Sequence, residues 1–178
     1  MRYVAFLRAI NVGGHIVKMD QLRKLFEAIG FDNVATFIAS GNVIFDSSSK
    51  SSAALEKKIS VALEKALGYP VATFVRSADE LARIAGHEPY DAAELTKGSL
   101  FVGLLPDVIT PAEKKAIAAM ETPVDALRVN AREIYWRAGK KWSDAQFSPA
   151  KMEKALRKPA TFRNITTMRK IAKILAEP

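Results

Sequence analysis

Cysteine is absent from this 178-residue chain. That removes disulfides, thiolate metal sites and cysteine nucleophiles together, and it fits a reducing, cytoplasmic location. Histidine is scarce: His15 and His87 are the only imidazoles. With no Cys and no His-x-x-x-His spacing, a transition-metal site lacks ligands, so no metal and no cofactor is expected. No apolar stretch approaches the roughly 20 residues of a membrane span, so no membrane partner is expected. The opening residues read as an amphiphilic strand rather than a charged and then greasy leader, so no signal peptide is expected. Ser40 lacks the Gly-x-Ser-x-Gly elbow of acyl transfer, and the carboxylates are scattered singly rather than paired for glycosidase-type work. Nothing here advertises an enzyme, and nothing excludes one.

What is present is positive charge. The net charge is +8 and the pI is near 9.7, which favours an anionic partner. The excess gathers late in the chain, where Lys140, Lys141, Lys151, Lys154, Arg157, Lys158, Arg163, Arg169, Lys170 and Lys173 face only Asp144 and Glu153. Solvated helix faces and a polyanion-binding surface both account for this pattern.

Element order is legible from periodicity. Val4 to Leu7 is a continuously apolar strand, broken by Gly13-Gly14. Leu22, Leu25, Phe26 and Ile29 follow at helical spacing, closed by Gly30. Val34–Ile38 and Val43–Phe45 read as a hairpin around Ser40-Gly41. Leu55 to Leu67 makes a second amphipathic helix ended by Gly68, and Val71–Val75 is a fourth strand. This is the β-α-β-β-α-β order of a ferredoxin-like plait.

Ser77 and Glu80 form a capping box for a connecting helix, after which the pattern restarts. Leu100–Leu105 is a strand, and Thr110-Pro111-Ala112-Glu113 opens a helix. Ala126–Val129 and Ile134–Trp136 form a hairpin around Asn130-Ala131. Ser148-Pro149 caps a basic helix, Ala160–Phe162 is a short strand, and a last amphipathic helix carries Met168, Ile171 and Leu175. The expected class is α+β: two ferredoxin-like α/β plaits with antiparallel sheets plus a C-terminal helix. Residues 1–78 form the first plait and residues 79–178 the second, with the connecting and C-terminal helices.

In such a plait the first strand leaves the sheet at the end where strands two and three join. That places Arg8, Asn11, Gly13 and Gly14 beside Ser40, Gly41 and Asn42. Arg8 can grip a carboxylate or phosphate in bidentate fashion. The glycines let backbone N–H groups come close to a ligand, and the following helix start adds a positive dipole end unless Asp20 already occupies it. The other explanation is local turn chemistry, with Asn11 and Asn42 bonding nearby backbone. The glycine pair is neither a P-loop nor a dinucleotide fingerprint. A third polar cluster, Thr161 to Thr167, includes Arg163 and Asn164 as candidate ligand-binding residues, with a helix cap at Asn164 or Thr166 as the alternative.

Phe6-Leu7-Arg8-Ala9-Ile10-Asn11-Val12-Gly13-Gly14, Gly30-Phe31, Ala39-Ser40-Gly41-Asn42-Val43-Ile44-Phe45 and Pro159-Ala160-Thr161-Phe162-Arg163-Asn164 together resemble a bacterial family, domain of unknown function 1697. The likeness covers nearly the whole chain. It implies two α/β plaits and carries no activity with it. Ala9 stands where the family usually has Gly, and Ala145-Gln146 where a Ser-Lys pair is common.

Three functions fit these residues. The leading one is binding of a phosphate-bearing partner, nucleic acid or nucleotide, at the rim. An RNA-recognition sheet would carry aromatics on its third strand, where this chain offers only Phe45; Tyr135 and Trp136 in the second hairpin are the other side chains on which a base could stack, but alternation points them to opposite faces and assigns one to the core. The second is a small-molecule enzyme using the rim as an anion clamp, with His15 as acid or base. The third is a homo-oligomeric interaction protein joined through an open sheet edge or face.

Overall fold

The computed structural model describes residues 1–8, 10, 16–38, 41–139 and 144–177. The chain divides into two compact units, Met1–Arg83 with Lys170–Pro178, and Ile84–Arg169. Each holds one four-stranded antiparallel sheet.

In the first unit β1 (Arg2–Leu7), α1 (Met19–Ala28), β2 (Asp32–Thr36), β3 (Asn42–Asp46), α2 (Ser52–Leu67) and β4 (Thr73–Ser77) follow one another in β-α-β-β-α-β order. The strands lie side by side as β2-β3-β1-β4, all neighbours antiparallel. Alternation along β1 sends Tyr3, Ala5 and Leu7 into a core with Leu22 and Phe26 of α1 and Leu55, Ile59 and Leu63 of α2. Four-residue spacing aligns each helix's apolar side chains on one face. Phe45 sits among Phe31 at 4.4 Å, Phe26 at 5.6 Å and Tyr3 at 5.8 Å between ring centroids.

Helix ends obey local rules. Ser51 accepts from the Ala54 N–H at 3.2 Å to start α2, and Gly68 ends it in the left-handed conformation at φ 81°. The second strand stops at Thr36, short of the expected Ile38. Ile38 turns left-handed at φ 51° and points to solvent, while the Phe37 N–H donates to the Asn42 carbonyl at 3.0 Å and closes the turn. The fourth strand begins at Thr73, two residues after the expected Val71.

α3 (Ala78–Gly86) starts with the expected box: Glu80 accepts from the Ser77 N–H at 2.9 Å, and Ser77 Oγ from the Glu80 N–H at 3.2 Å. A short α4 (Ala92–Leu95) follows, capped by a reciprocal Asp91–Glu94 pair. Then come β5 (Gly98–Leu104), α5 (Pro111–Ala118), β6 (Ala126–Asn130), β7 (Glu133–Gly139), α6 (Pro149–Leu156), β8 (Thr161–Asn164) and α7 (Ile165–Ala176). The second sheet is ordered β6-β7-β5-β8, the same pattern as the first.

Trp136 anchors the second core, with Phe101 and Phe147 each at 5.1 Å and Phe162 at 5.9 Å. Gly103 lets Phe162 lie across β5, because a Cβ there would fall 2.5 Å from the Phe162 ring. Asp125, only 1% exposed, ties this core to the chain approaching α6. Its carboxylate accepts from Trp136 Nε1 at 2.8 Å, Thr122 Oγ1 at 2.7 Å, and the Gln146 and Phe147 N–H groups at 2.8 Å each. Burial pushes this carboxyl up, but the hydrogen bonds outweigh it and hold the group below the ordinary carboxylate range.

Residues on both faces of the inner strands of each sheet are buried. Val4, Phe6, Ile44, Phe74 and Arg76, on the face of the first sheet away from its helices, are all buried. Leu100, Val102 and Tyr135 are buried on the corresponding face of the second.

Candidate functional site

The exit of β1 and the β2–β3 turn do share one end of the first sheet. Phe6 pairs with Asn42, and the Leu7 N–H donates to the Gly41 carbonyl at 2.8 Å. Gly41 has φ 73°, and a Cβ there would lie 3.1 Å from the Leu7 carbonyl oxygen and 3.2 Å from Ile10 Cβ. Glycine is therefore required twice at this position, for its backbone angle and for close packing against the strand it flanks. On the other side of β1 the Arg8 N–H donates to the Ala72 carbonyl at 2.9 Å. The Arg8 backbone is thus fixed while its side chain is exposed at the rim.

Asn42 is wholly buried, and its Nδ2 donates to the Phe37 carbonyl at 3.0 Å. It shapes the turn from within instead of facing outward. Asn11, Gly13, Gly14 and Ser40 lie outside the described residues, as do His15, Lys140 and Lys141.

The loop after Arg8 leads into α1, whose start carries no side-chain cap: Lys18 takes the cap position in extended conformation. Its first-turn N–H groups are orphan donors. Asp20 does occupy that first turn, so the dipole end is already partly answered, although Arg23 draws the Asp20 carboxylate to 2.8 Å.

Arg163 and Asn164 lie in the other unit and are built into its framework. Arg163, opposite Val102 on β8, donates to Thr161 Oγ1 at 2.8 Å and to the Phe162 carbonyl at 2.9 Å. Burial lowers its pKa to about 10. Asn164 Oδ1 accepts from the Thr166 N–H at 2.8 Å, the cap that its position before a helix suggests.

Tyr135 and Trp136 point to opposite faces, and both are buried, at 0% and 1% exposure. The expectation that one of them could stack a base is corrected here. Trp136 fills the helix-covered core, and Tyr135 packs against the His87 ring at 4.7 Å with its hydroxyl directed to the Ile84 carbonyl. Among the described residues no group of three His, Asp or Glu side chains could hold a metal ion, and no helix is long and apolar enough to cross a membrane.

Sequence reasoning passed over two polar centres. Asp125 is one. The other is Arg76 on β4, fully buried, with NH1 3.6 Å from Glu56 Oε1 on α2, which also accepts from the Val75 N–H at 2.8 Å. A lone charge inside an apolar strand was the available signal, since such a residue needs a partner when buried.

A family profile described as "Protein of unknown function (DUF1697)" matches residues 1–135, three quarters of the chain. The chain belongs to this family. A solved structure from Streptococcus pneumoniae, described as a conserved bacterial protein, is similar over 99% of this chain and 98% of that one, with a TM-score of 0.71 and 22% sequence identity. At that identity the likeness shows the fold: two successive plaits over the full length. No curated protein matches the chain.

Proposed function

We propose that this protein binds a phosphate-bearing ligand, a nucleic acid or a nucleotide, at the rim where β1 leaves the first sheet beside the β2–β3 turn. The observation that carries the reading is the position of Arg8: an exposed residue on a fixed strand end, next to a turn that packs closely only because position 41 is glycine. Arginine is the residue type suited to a phosphate, because its planar guanidinium can meet two phosphate oxygens in parallel. Asn11, Gly13, Gly14 and Ser40 complete the proposed rim, with Gly41 and Asn42 shaping it. Arg163 and Asn164 belong to the other unit, where they bond Thr161 and Thr166, and are not part of this rim. The net charge of +8 supports an anionic partner, and the lack of cysteine supports a cytoplasmic setting. A nucleic acid would meet this rim through phosphate contacts, because aromatics for base stacking are buried on both sheets.

The test is fluorescence anisotropy with a labelled single-stranded oligonucleotide, and calorimetry with a nucleoside triphosphate, on wild type and Arg8→Ala. Loss of one charge-assisted bidentate contact, about 1.5–3 kcal/mol, weakens affinity roughly ten- to a hundredfold. The melting temperature stays within about 2 °C, as for a surface substitution. Oligonucleotide affinity also falls steeply with added salt. Equal binding by both proteins, or salt-independent binding, refutes the reading. A small-molecule enzyme using the same clamp would bind the nucleotide or another small anion and turn it over; a homo-oligomer would sediment above monomer mass and ignore Arg8→Ala.

A further inference from the structure

The outer face of α2 is not what a solvated helix requires. Its inward residues Leu55, Ile59 and Leu63 satisfy the core, yet Val61 is 60% exposed on the opposite side. Val61 belongs to a shallow groove of about 630 Å³ between α1 and α2, floored by Ile29, Val61 and Ala62 and edged by Lys57, Lys58 and Lys65. Ala28 and Ala54 line it as well, so no long side chain blocks a partner backbone there. Among the described residues none of the three lysines has a carboxylate within ion-pair distance; Lys58 holds its ammonium 5.0 Å over the Phe31 ring. The groove therefore combines an uncovered apolar floor with uncompensated positive edges.

We infer that the α1–α2 groove is a docking site for an acidic amphipathic helix of a partner protein. The apolar floor calls for an occupant that buries aliphatic side chains, which a phosphate backbone does not supply. The lysine edges call for carboxylates flanking those side chains, in the helix-in-groove mode of recognition. From Ala54 to Lys65 the lining covers about 17 Å of helix, which matches an occupant of about three turns. Apolar anchors at positions i, i+3 or i+4, and i+7 of that occupant meet Ile29, Val61 and Ala62, with Asp or Glu beside them. Two copies of this chain meeting through the same face would bring six lysines together, which opposes a symmetric dimer here. The site is separate from the rim, so its failure leaves the rim untouched and the converse also holds.

The experiment selects from a displayed library of 14-residue helical peptides against the full chain, then measures the enriched peptides by anisotropy. The expected winners carry aliphatic or aromatic anchors at helical spacing flanked by Asp or Glu. Val61→Asp weakens them at least about tenfold, the charge-reversed pair Lys57→Glu with Lys65→Glu does likewise, and Arg8→Ala has no effect. All three altered positions are exposed, so an unchanged melting temperature verifies folding in each variant. Enrichment without acidic residues, or binding indifferent to Val61→Asp, overturns the inference. So does binding of phosphatidylserine vesicles, or dimerisation in sedimentation, that Val61→Asp abolishes while peptide binding is absent.

Discussion

Replacing Asp125 tests whether one carboxylate holds the second core together. In Asp125→Ala the hydrogen-bond donors lose their shared acceptor, but not at equal cost. Gln146 is exposed and its N–H can turn to water. Trp136 Nε1 and the Phe147 N–H are buried with residues 1% and 5% exposed, and they are left unpaired. At about 1–3 kcal/mol for each orphaned donor, plus the lost packing of the side chain, the cost comes to about 3–5 kcal/mol. That is a large share of the 5–15 kcal/mol typical of a folded domain, and it lowers the melting temperature by roughly 10 °C in a chain of this size. Asp125→Asn refines the argument. An amide oxygen in the Oδ2 position still serves Thr122, Gln146 and Phe147, but the amide nitrogen then faces the Trp136 N–H, donor against donor. The Asn variant is therefore milder than Ala, and combining it with Trp136→Phe recovers about 1 kcal/mol or more relative to the sum of the single changes. Urea unfolding of the four proteins measures this cycle. Strict additivity, or an Asp125→Ala cost below about 1 kcal/mol, refutes the assigned role.

Two further outcomes follow from the same structure. Acid should unfold the protein through depressed carboxyls: Asp125, and Glu113, which a hydrogen bond from Lys158 and then the Thr110 backbone hold low. A lowered folded value means that their stabilisation is complete above about pH 4, the unfolded range, and is lost as pH falls through the folded values; Asp125→Asn should flatten this acid limb in a pH series of urea midpoints, and an identical limb would contradict it. Gly41→Ala should cost about 1–3 kcal/mol, from a left-handed backbone and a Cβ pressed against Leu7 and Ile10, and a thermal melt unchanged from wild type would show that the turn relaxes freely.

The candidate rim was legible because strand order fixes which loops share an end. Once β1, β2 and β3 are recognised from apolar runs and a Ser-Gly turn, antiparallel insertion of β3 leaves no other place for Gly41 than beside Leu7. What the rim's residues do was less legible. Asn42 looked like a polar group offered to a ligand, yet its amide closes its own turn; Asn164 looked similar and caps a helix. Short polar side chains bond local backbone and distant ligands with the same atoms, and composition does not separate the two.

Sequence alone determined the features whose bonds span few residues. These are the boxes at Ser77–Glu80 and Thr110–Glu113, the glycine stop at Gly68, the helical and alternating apolar periods, and through them two plaits in succession. The same spacing at Asp91 and Glu94 encodes α4, a single turn too short for periodicity to announce. Tertiary structure alone decided which residues meet water. Tyr135 and Trp136 are buried on opposite faces, Arg76 finds Glu56 across twenty residues, and Asp125 gathers donors from Thr122 to Phe147. Val61 is the converse, an apolar side chain within a helix that packing leaves exposed. Burial is set by what arrives from far along the chain, whereas caps and periods are set within a turn or two.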